Sequence, residues 1–495
     1  MIFLGPLISA FILGFLILAN LLKDSKLPNR TIFLIIMAVP VGLGACSLAI
    51  FWAYAAAASH GKWLSFGLCA LLGGYLLFRL LTRKKLSGIA ESRLAGLKIK
   101  LETATKAQLL LTAASMTLFF YILQQFTRHF ISMTCWEVFG GWDARFIWNL
   151  KAKFFFRSPS EWMGMFQPEL NFSHPDYPLL IPGSIAWGWN WAGKEILIWP
   201  ALVAFLFTVC TGFLIFWYLL SYVSAWSGFL AYSYFLATGA YQFWSPAQYA
   251  DIPVCFFMTA ATVTLLAAVR DRDNSAHTQK PLFFLAGLLT GMAAWTKNEG
   301  LFFSGWIFLI LSATLVIHPL PWPDKKKWGT SFATGFLIPF LNILYFKTFL
   351  GRTGDFLGSG RTLSEYASLL VESKAKTQLI LNGFQVHMTK FEDWNGLWIL
   401  FFCALVIGVS IKRKELMGSY GWLLAAAAVL IELGYFMVMH ASLYEIRFQV
   451  ETALPRLLLH AGALALIFSF EIFSPSPPKT ALRANIAGGG GDGGA

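Results

Sequence analysis

Residues 251–270 read DIPVCFFMTAATVTLLAAVR, with eighteen uncharged, mostly apolar positions between Asp251 and Arg270. A bilayer core of about 30 Å needs about 20 such residues in a helix, so the stretch reads as a membrane span with a charge at each edge. Working outward with the same ruler gives thirteen windows: 1–22, 31–58, 62–82, 107–127, 196–219, 225–243, 251–270, 281–296, 300–318, 330–349, 395–411, 420–440 and 453–473. The expected fold class is all-α: a polytopic membrane protein of about thirteen transmembrane helices.

Composition points the same way. Of 495 residues, 57% are hydrophobic and only 13% charged, against roughly 45–50% and 25% in soluble domains. That excludes an ordinary soluble enzyme, a disordered chain and a nucleic-acid-binding domain, despite a net charge of +13. Six scattered cysteines without a CxxC spacing give neither a disulfide framework nor a zinc site. The N-terminus lacks a basic n-region and a small-residue cleavage site, so it reads as a retained first helix.

Basic residues collect in alternate short connections. Lys23, Lys26 and Arg30, the run from Arg83 to Lys106, Arg270 to Lys280, Lys325 to Lys327, and Lys412 to Lys414 hold half of the 38 Lys and Arg. Parity then places the N-terminus outside, the C-terminus inside, and segments 128–195, 244–250, 297–299, 350–394 and 441–452 on the outer face. The expected layout is an N-terminal three-helix part with a basic cytoplasmic segment (1–106), a module at 107–350 with its long outer loop 128–195, an outer loop and last helices at 351–473, and a disordered Pro/Gly-rich tail at 474–495. Segment 83–106 reads as an interfacial helix on anionic lipid or, alternatively, a binding element.

The polar motifs all fall in those outer segments. GGWDARFIWNLKAKFFF spaces Trp142, Phe146, Leu150 and Phe154 at i, i+4 with Arg145, Asn149, Lys151 and Lys153 between them, the pattern of an interfacial helix with a polar side. Asp143 in its first turn reads either as an N-cap or as a reactive carboxylate. In HPDYP, two prolines fix a turn, and His174 with Asp176 reads as a hydrogen-bonded turn or half of a metal site; a divalent metal is left open and no ligand set is assigned. Trp187, Trp189 and Trp191 read as an aromatic belt. In YADIP, Tyr249 precedes Asp251, a boundary acid that reads as a site residue or a helix cap. In WTKNEG, Lys297 beside Glu299 reads as a snorkelling lysine with a local partner or as a phosphate-facing cation. Arg456, just inside the last span and past Arg447, needs a carboxylate, a phosphate or a polar cavity.

In order, GWDARFIWNLKAKFFF, HPDYPLL, YADIP and WTKNEG resemble the GT-C membrane glycosyltransferases, which include the protein O-mannosyltransferases and the lipid A aminoarabinose transferases. They look most like the bacterial RgtA/B/C/D-like branch, over about residues 107–350. The chain departs from that pattern in its three preceding helices, in HPDYP replacing a His-Pro-Pro turn, and in lacking a paired acid beside Asp143.

The resemblance implies a GT-C-like helical module and a polyprenyl-phosphate-linked sugar donor. The acceptor hydroxyl would be on a lipid, glycan or protein, and transfer would proceed with inversion at the outer face of a bacterial inner membrane. By carry-over, Asp143 is catalytic, Lys297 lies near the donor phosphate, and Asp176 and Asp251 line the site; beside these, Arg456 is assigned to the donor phosphate from its place in the last span, and His174, Tyr249 and Glu299 are assigned to the substrate site. The alternative function is a transporter or flippase of a lipid-linked sugar. The transferase reading requires Asp143, Asp251 and Lys297 to meet in space.

Overall fold

An apolar helix that shows no polar face has to be surrounded by other apolar elements, and residues 251–270 set the centre of the fold for that reason. The structure, a computed structural model, describes residues 3–82, 105–270, 276–351, 364, 368, 374–442 and 444–474. Twenty α-helices follow in order: α1 Leu4–Leu21, α2 Arg30–Ala57, α3 Gly61–Leu81, α4 Lys106–Trp136, α5 Asn149–Arg157, α6 Leu180–Ala192, α7 Ile198–Tyr222, α8 Ala225–Ala237, α9 Gly239–Trp244, α10 Asp251–Arg270, α11 Ala276–Thr296, α12 Asn298–Ile317, α13 Trp322–Tyr345, α14 Lys374–Thr389, α15 Phe391–Trp394, α16 Leu397–Ser410, α17 Arg413–Gly418, α18 Trp422–Ala441, α19 Ile446–Thr452 and α20 Leu454–Phe473. Among the described residues, nine helical segments are long and apolar enough to cross a membrane, one of them the joined run of α2 and α3.

α10 is buried along its whole apolar length, packed by α7, α11, α18 and α20. α10 and α20 run parallel, since Asp251 at the start of α10 meets His460 in the first half of α20 and Arg270 at its end meets Glu471. Small residues bring other helices into backbone contact, as membrane helix pairs require. A Cβ on Gly14 would fall on the Ala38 carbonyl and one on Gly42 on the Ala10 carbonyl, which fixes α1 against α2. Gly287 and Gly335 lock α11 to α13 in the same manner.

The basic loops gather at one end. Trp217 donates to the Pro28 carbonyl (3.1 Å), Asn29 to Ser221 (3.0 Å), Ser331 to the Lys280 carbonyl (2.8 Å) and Lys412 to the Ile472 carbonyl (2.8 Å). The expected basic segment 83–106 lies outside the described residues up to 104, as does the tail from 475.

Four expectations change. α4 continues to Trp136, because no helix breaker occurs before Gly140, so the long loop begins at 137 instead of 128. The window 225–243 is two helices broken at Thr238, where Gly239 lies against the Glu392 carbonyl. The window 395–411 holds a helix of only 14 residues. Trp187 and Trp189 are internal instead of forming a belt, their indoles donating to the carbonyls of Pro6 (3.2 Å) and Ile196 (3.1 Å), while Trp191 stays exposed.

The long loop folds back into the bundle. Ser47 of α2 donates to the Leu179 carbonyl at 3.0 Å, ten residues before α2 ends at Ala57. At 1.5 Å per residue that is about 15 Å below the end of α2. α6 climbs back from there until Asn190 donates to the Tyr54 hydroxyl at 3.3 Å.

Candidate active site

The end of the bundle opposite the basic loops is assembled from six segments. Gly140 and Gly141 allow the first contact. Gly140 sits at φ +70°, a conformation that only glycine adopts without cost, and the Gly141 N–H donates to the Ala247 carbonyl at 3.0 Å. A Cβ on Gly141 would stand 2.6 Å from the Tyr249 hydroxyl oxygen, so the loop and the start of α10 touch only because that position is glycine.

Directly after these glycines, Asp143 begins a π-helical turn, Ala144–Trp148, that leads into α5. Its carboxylate makes no capping hydrogen bond. Instead Oδ2 accepts from Arg456 Nη1 at 2.5 Å, and the guanidinium also lies 5.2 Å from the Tyr249 ring and 5.7 Å from the Trp244 ring. The two charged side chains are 16% and 18% exposed. Arg456 thus finds the carboxylate that its position in the last span demanded, and it is also within electrostatic reach of Asp251.

Asp251 opens α10 and is almost wholly buried. Its Oδ1 accepts from Lys297 Nζ at 2.9 Å and from His460 Nε2 at 3.2 Å. Lys297 also pairs with Glu299 Oε1 at 2.9 Å. With 4% of its side chain exposed, Lys297 does not snorkel, which corrects that expectation: two carboxylates hold it inside. Burial alone would lower the ammonium's pKa, but Asp251 and Glu299 more than reverse this and hold it above its usual value. Asp251 Oδ2 and Glu299 Oε2 are buried without a hydrogen-bond partner.

The HPDYP turn supplies the third group. Asp176 Oδ2 accepts from Asn298 at 2.6 Å and lies 3.7 Å from Lys347, whose ammonium also donates to Asn298 Oδ1 at 2.7 Å. Lys347 rides on a second π-helical turn, Phe346–Leu350; such turns recur at functional sites. His174, at φ +48°, stacks on Tyr177 at 4.9 Å, and Tyr177 stacks on Trp148 at 5.5 Å. The His174 imidazole's pKa is lowered by burial. Lys151, expected on an exposed polar face, is instead buried, donating to the carbonyls of His174 (2.6 Å) and Tyr177 (3.3 Å). Burial lowers its pKa to about 7.

Among the described residues no group of three or more His, Cys, Asp or Glu is placed to hold a metal. Asp176 Oδ2 is engaged by the Asn298 amide and the Lys347 ammonium. A cavity of about 310 Å³ is lined by Cys135, Trp136, Glu137, Val138, Phe139 and Arg145, with none of the paired groups above among its walls. Gln248, at φ +62° and anchored to the Val138 carbonyl at 3.1 Å, adds a second non-glycine residue in the left-handed region at this site. Such strain concentrates where a structure is over-determined for function.

Sequence reasoning missed His460, Tyr435, Lys347 and Glu432. His460, Tyr435 and Glu432 each interrupt an apolar run, and that interruption was the available signal. Glu432 stands midway along α18, buried, with both carboxylate oxygens unpartnered. Of the segment 350–394, expected on the outer face, Arg352, Asp355, Arg361 and Glu365 lie outside the described residues.

No protein-family model matches this chain, and neither a curated protein nor a solved structure does.

Proposed function

We propose that this protein is a membrane glycosyltransferase that moves a sugar from a polyprenyl-phosphate carrier to an acceptor hydroxyl at the end of the bundle opposite the basic loops. This reading takes the bundle to have thirteen spans, with that end facing the periplasm or exterior of a bacterial inner membrane. The observation that carries it is the meeting of three ion-paired groups at that end, Asp143 with Arg456, Lys297 with Asp251 and Glu299, and Asp176 with Lys347, drawn from segments as much as 313 residues apart. Ionisable groups are costly at a membrane helix end unless they are paired or used. Here they are paired, with acceptor atoms left over.

The chemistry needs little more. The donor's anomeric carbon already carries a phosphate leaving group. The acceptor oxygen forms the new bond to that carbon, the carbon–phosphate-oxygen bond breaks with its electron pair, and the hydroxyl proton passes to a carboxylate. Asp143 orients the acceptor and takes that proton, and Arg456 keeps the carboxylate aimed. Lys347, the most exposed of the site's ammonium groups that accompany Asp176 and Glu299, stands ready for phosphate charge. Lys297, held between Asp251 and Glu299, adds a fixed positive charge behind the phosphate. Attack opposite the departing phosphate inverts the anomeric centre through an oxocarbenium-like transition state.

Glu432 favours a second reading. An unpartnered acid at mid-helix is the kind of group used in proton-coupled transport, here of the lipid-linked sugar itself. Incubating purified protein in vesicles with labelled polyprenyl-phosphate sugars and envelope lipids separates the two. A labelled product with a new glycosidic bond supports transfer, and movement of intact carrier across the bilayer without one overturns it.

A further inference from the structure

Behind the Asp251–Lys297 pair lies a hydrogen-bonded line that nothing above has used. His460 Nε2 is 3.2 Å from Asp251 Oδ1, and its Nδ1 is 2.5 Å from the Tyr435 hydroxyl. All three side chains are buried, at 0–2% exposure. One neutral tautomer satisfies both contacts: the Nε2–H donates to the carboxylate while Nδ1 accepts the Tyr435 hydroxyl proton. The other tautomer would turn a lone pair toward a carboxylate and leave the phenol without an acceptor. Tyr435 therefore selects the tautomer, as a partner on one imidazole nitrogen sets what the other does.

The consequence falls on Asp251. Two donors, Lys297 and His460, converge on the same oxygen, Oδ1, and leave Oδ2 buried and unpartnered. A buried acceptor without a donor is costly and calls for a reason. Glu299 repeats the arrangement on the other side of the ammonium, with Oε1 on Lys297 and Oε2 unpartnered. Two carboxylates tethered to one cation thus each keep an acceptor in hand, and a carboxylate oxygen accepts only from O–H or N–H. The phosphodiester of a carrier-linked sugar offers no such donor at neutral pH, whereas the hydroxyls of a sugar ring do.

We infer that Asp251 Oδ2 and Glu299 Oε2 form a hydroxyl-binding subsite for the carried sugar, and that His460, locked by Tyr435, is the positioning residue that turns Asp251 toward it. The inference rests on the proposed carrier-linked sugar as ligand, but it holds whether that sugar is transferred or moved intact.

The test is equilibrium binding to full-length protein in detergent or nanodiscs, using a short-chain polyprenyl-phosphate hexose and its mono-deoxy analogues. In wild type, one analogue lacks the hydroxyl that Asp251 holds and binds about tenfold to a hundredfold more weakly, the range for a hydrogen bond to a charged group. In His460→Leu the same deletion costs less than about threefold, because the acceptor is no longer aimed; this is the coupling that a double-mutant cycle isolates. His460→Gln keeps a donor toward Asp251 and restores most of the discrimination.

Tyr435→Phe, which preserves ring volume and serves if His460→Leu does not fold, loses part of it. Equal losses for every analogue in wild type and variants overturn the positioning role, since a merely structural histidine weakens all ligands alike. Binding with this coupling but no product contradicts the transferase and leaves the subsite standing. No binding of any carrier-linked sugar overturns both.

Discussion

The two ends of the parallel pair α10 and α20 use the same residue types to opposite effect. At the basic end, Arg270 bonds Glu471 and the Ser419 carbonyl (2.7 Å) and lies 5.4 and 5.1 Å from the rings of Tyr218 and Tyr222. Tyr218 closes the remaining Glu471 oxygen at 2.6 Å. Both carboxylate oxygens are satisfied, and the group is a clasp. At the other end, Asp251 and Glu299 share one lysine and each keeps an oxygen without a partner, while Asp143 and Arg456 stand partly open beside them. A closed ion pair ties helices together; an incomplete one has capacity for a ligand. The difference lies in the count of donors for each acceptor.

That comparison can be broken by removing one cation at each end. Lys297→Met strands two carboxylates, one wholly buried, and should cost about 3–5 kcal/mol, the range for breaking a buried pair from one side. Arg270→Met leaves Glu471 with the Tyr218 hydroxyl and should cost about 1–3 kcal/mol. Denaturant or thermal unfolding in detergent ranks them, and equal losses would mean that the ends are built alike.

The site end should also be the pH-sensitive one. Lys151 has its pKa lowered to about 7 by burial, against about 10.4 in an unfolded chain. Between those values the unfolded chain holds a proton that the folded one has released. Stability from this group therefore rises with pH from about 7 to about 10 and is lost as pH falls through 7, where an ammonium has to be buried. Unfolding measured across that window should show a slope worth on the order of a few kcal/mol, and Lys151→Met should flatten it. The smallest effect is expected at the clasp: Tyr218→Phe removes one hydrogen bond while Arg270 still holds Glu471, and should cost about 0.5–1.5 kcal/mol, with the transfer rate per folded molecule unchanged.

Much of the fold was written in the sequence as apolar length, and the charged loops already told one end from the other. What escaped depended on partners. Lys297 looks like a snorkelling residue until Asp251, 46 positions earlier, is known to face it. Trp187 and Trp189 look like an interfacial belt because alternate spacing does not say whether a backbone carbonyl waits inside. The candidate site was legible where acids sat in loops, at Asp143, Asp176 and Asp251. It was illegible at His460 and Tyr435, since a single polar residue in an apolar helix shows only that it has a partner, never which one. Lys151 was misread for a related reason: its helix is amphipathic, but the side that carries it turns inward onto the HPDYP carbonyls.

The central claim, that Asp143 does chemistry while the Arg270 clasp does not, is tested most directly by single-turnover transfer from a labelled polyprenyl-phosphate sugar in Asp143→Asn. The substitution keeps shape and removes the base, so a folded protein should transfer about 10²–10⁴ times more slowly than wild type. Wild-type turnover in that variant would contradict the assignment.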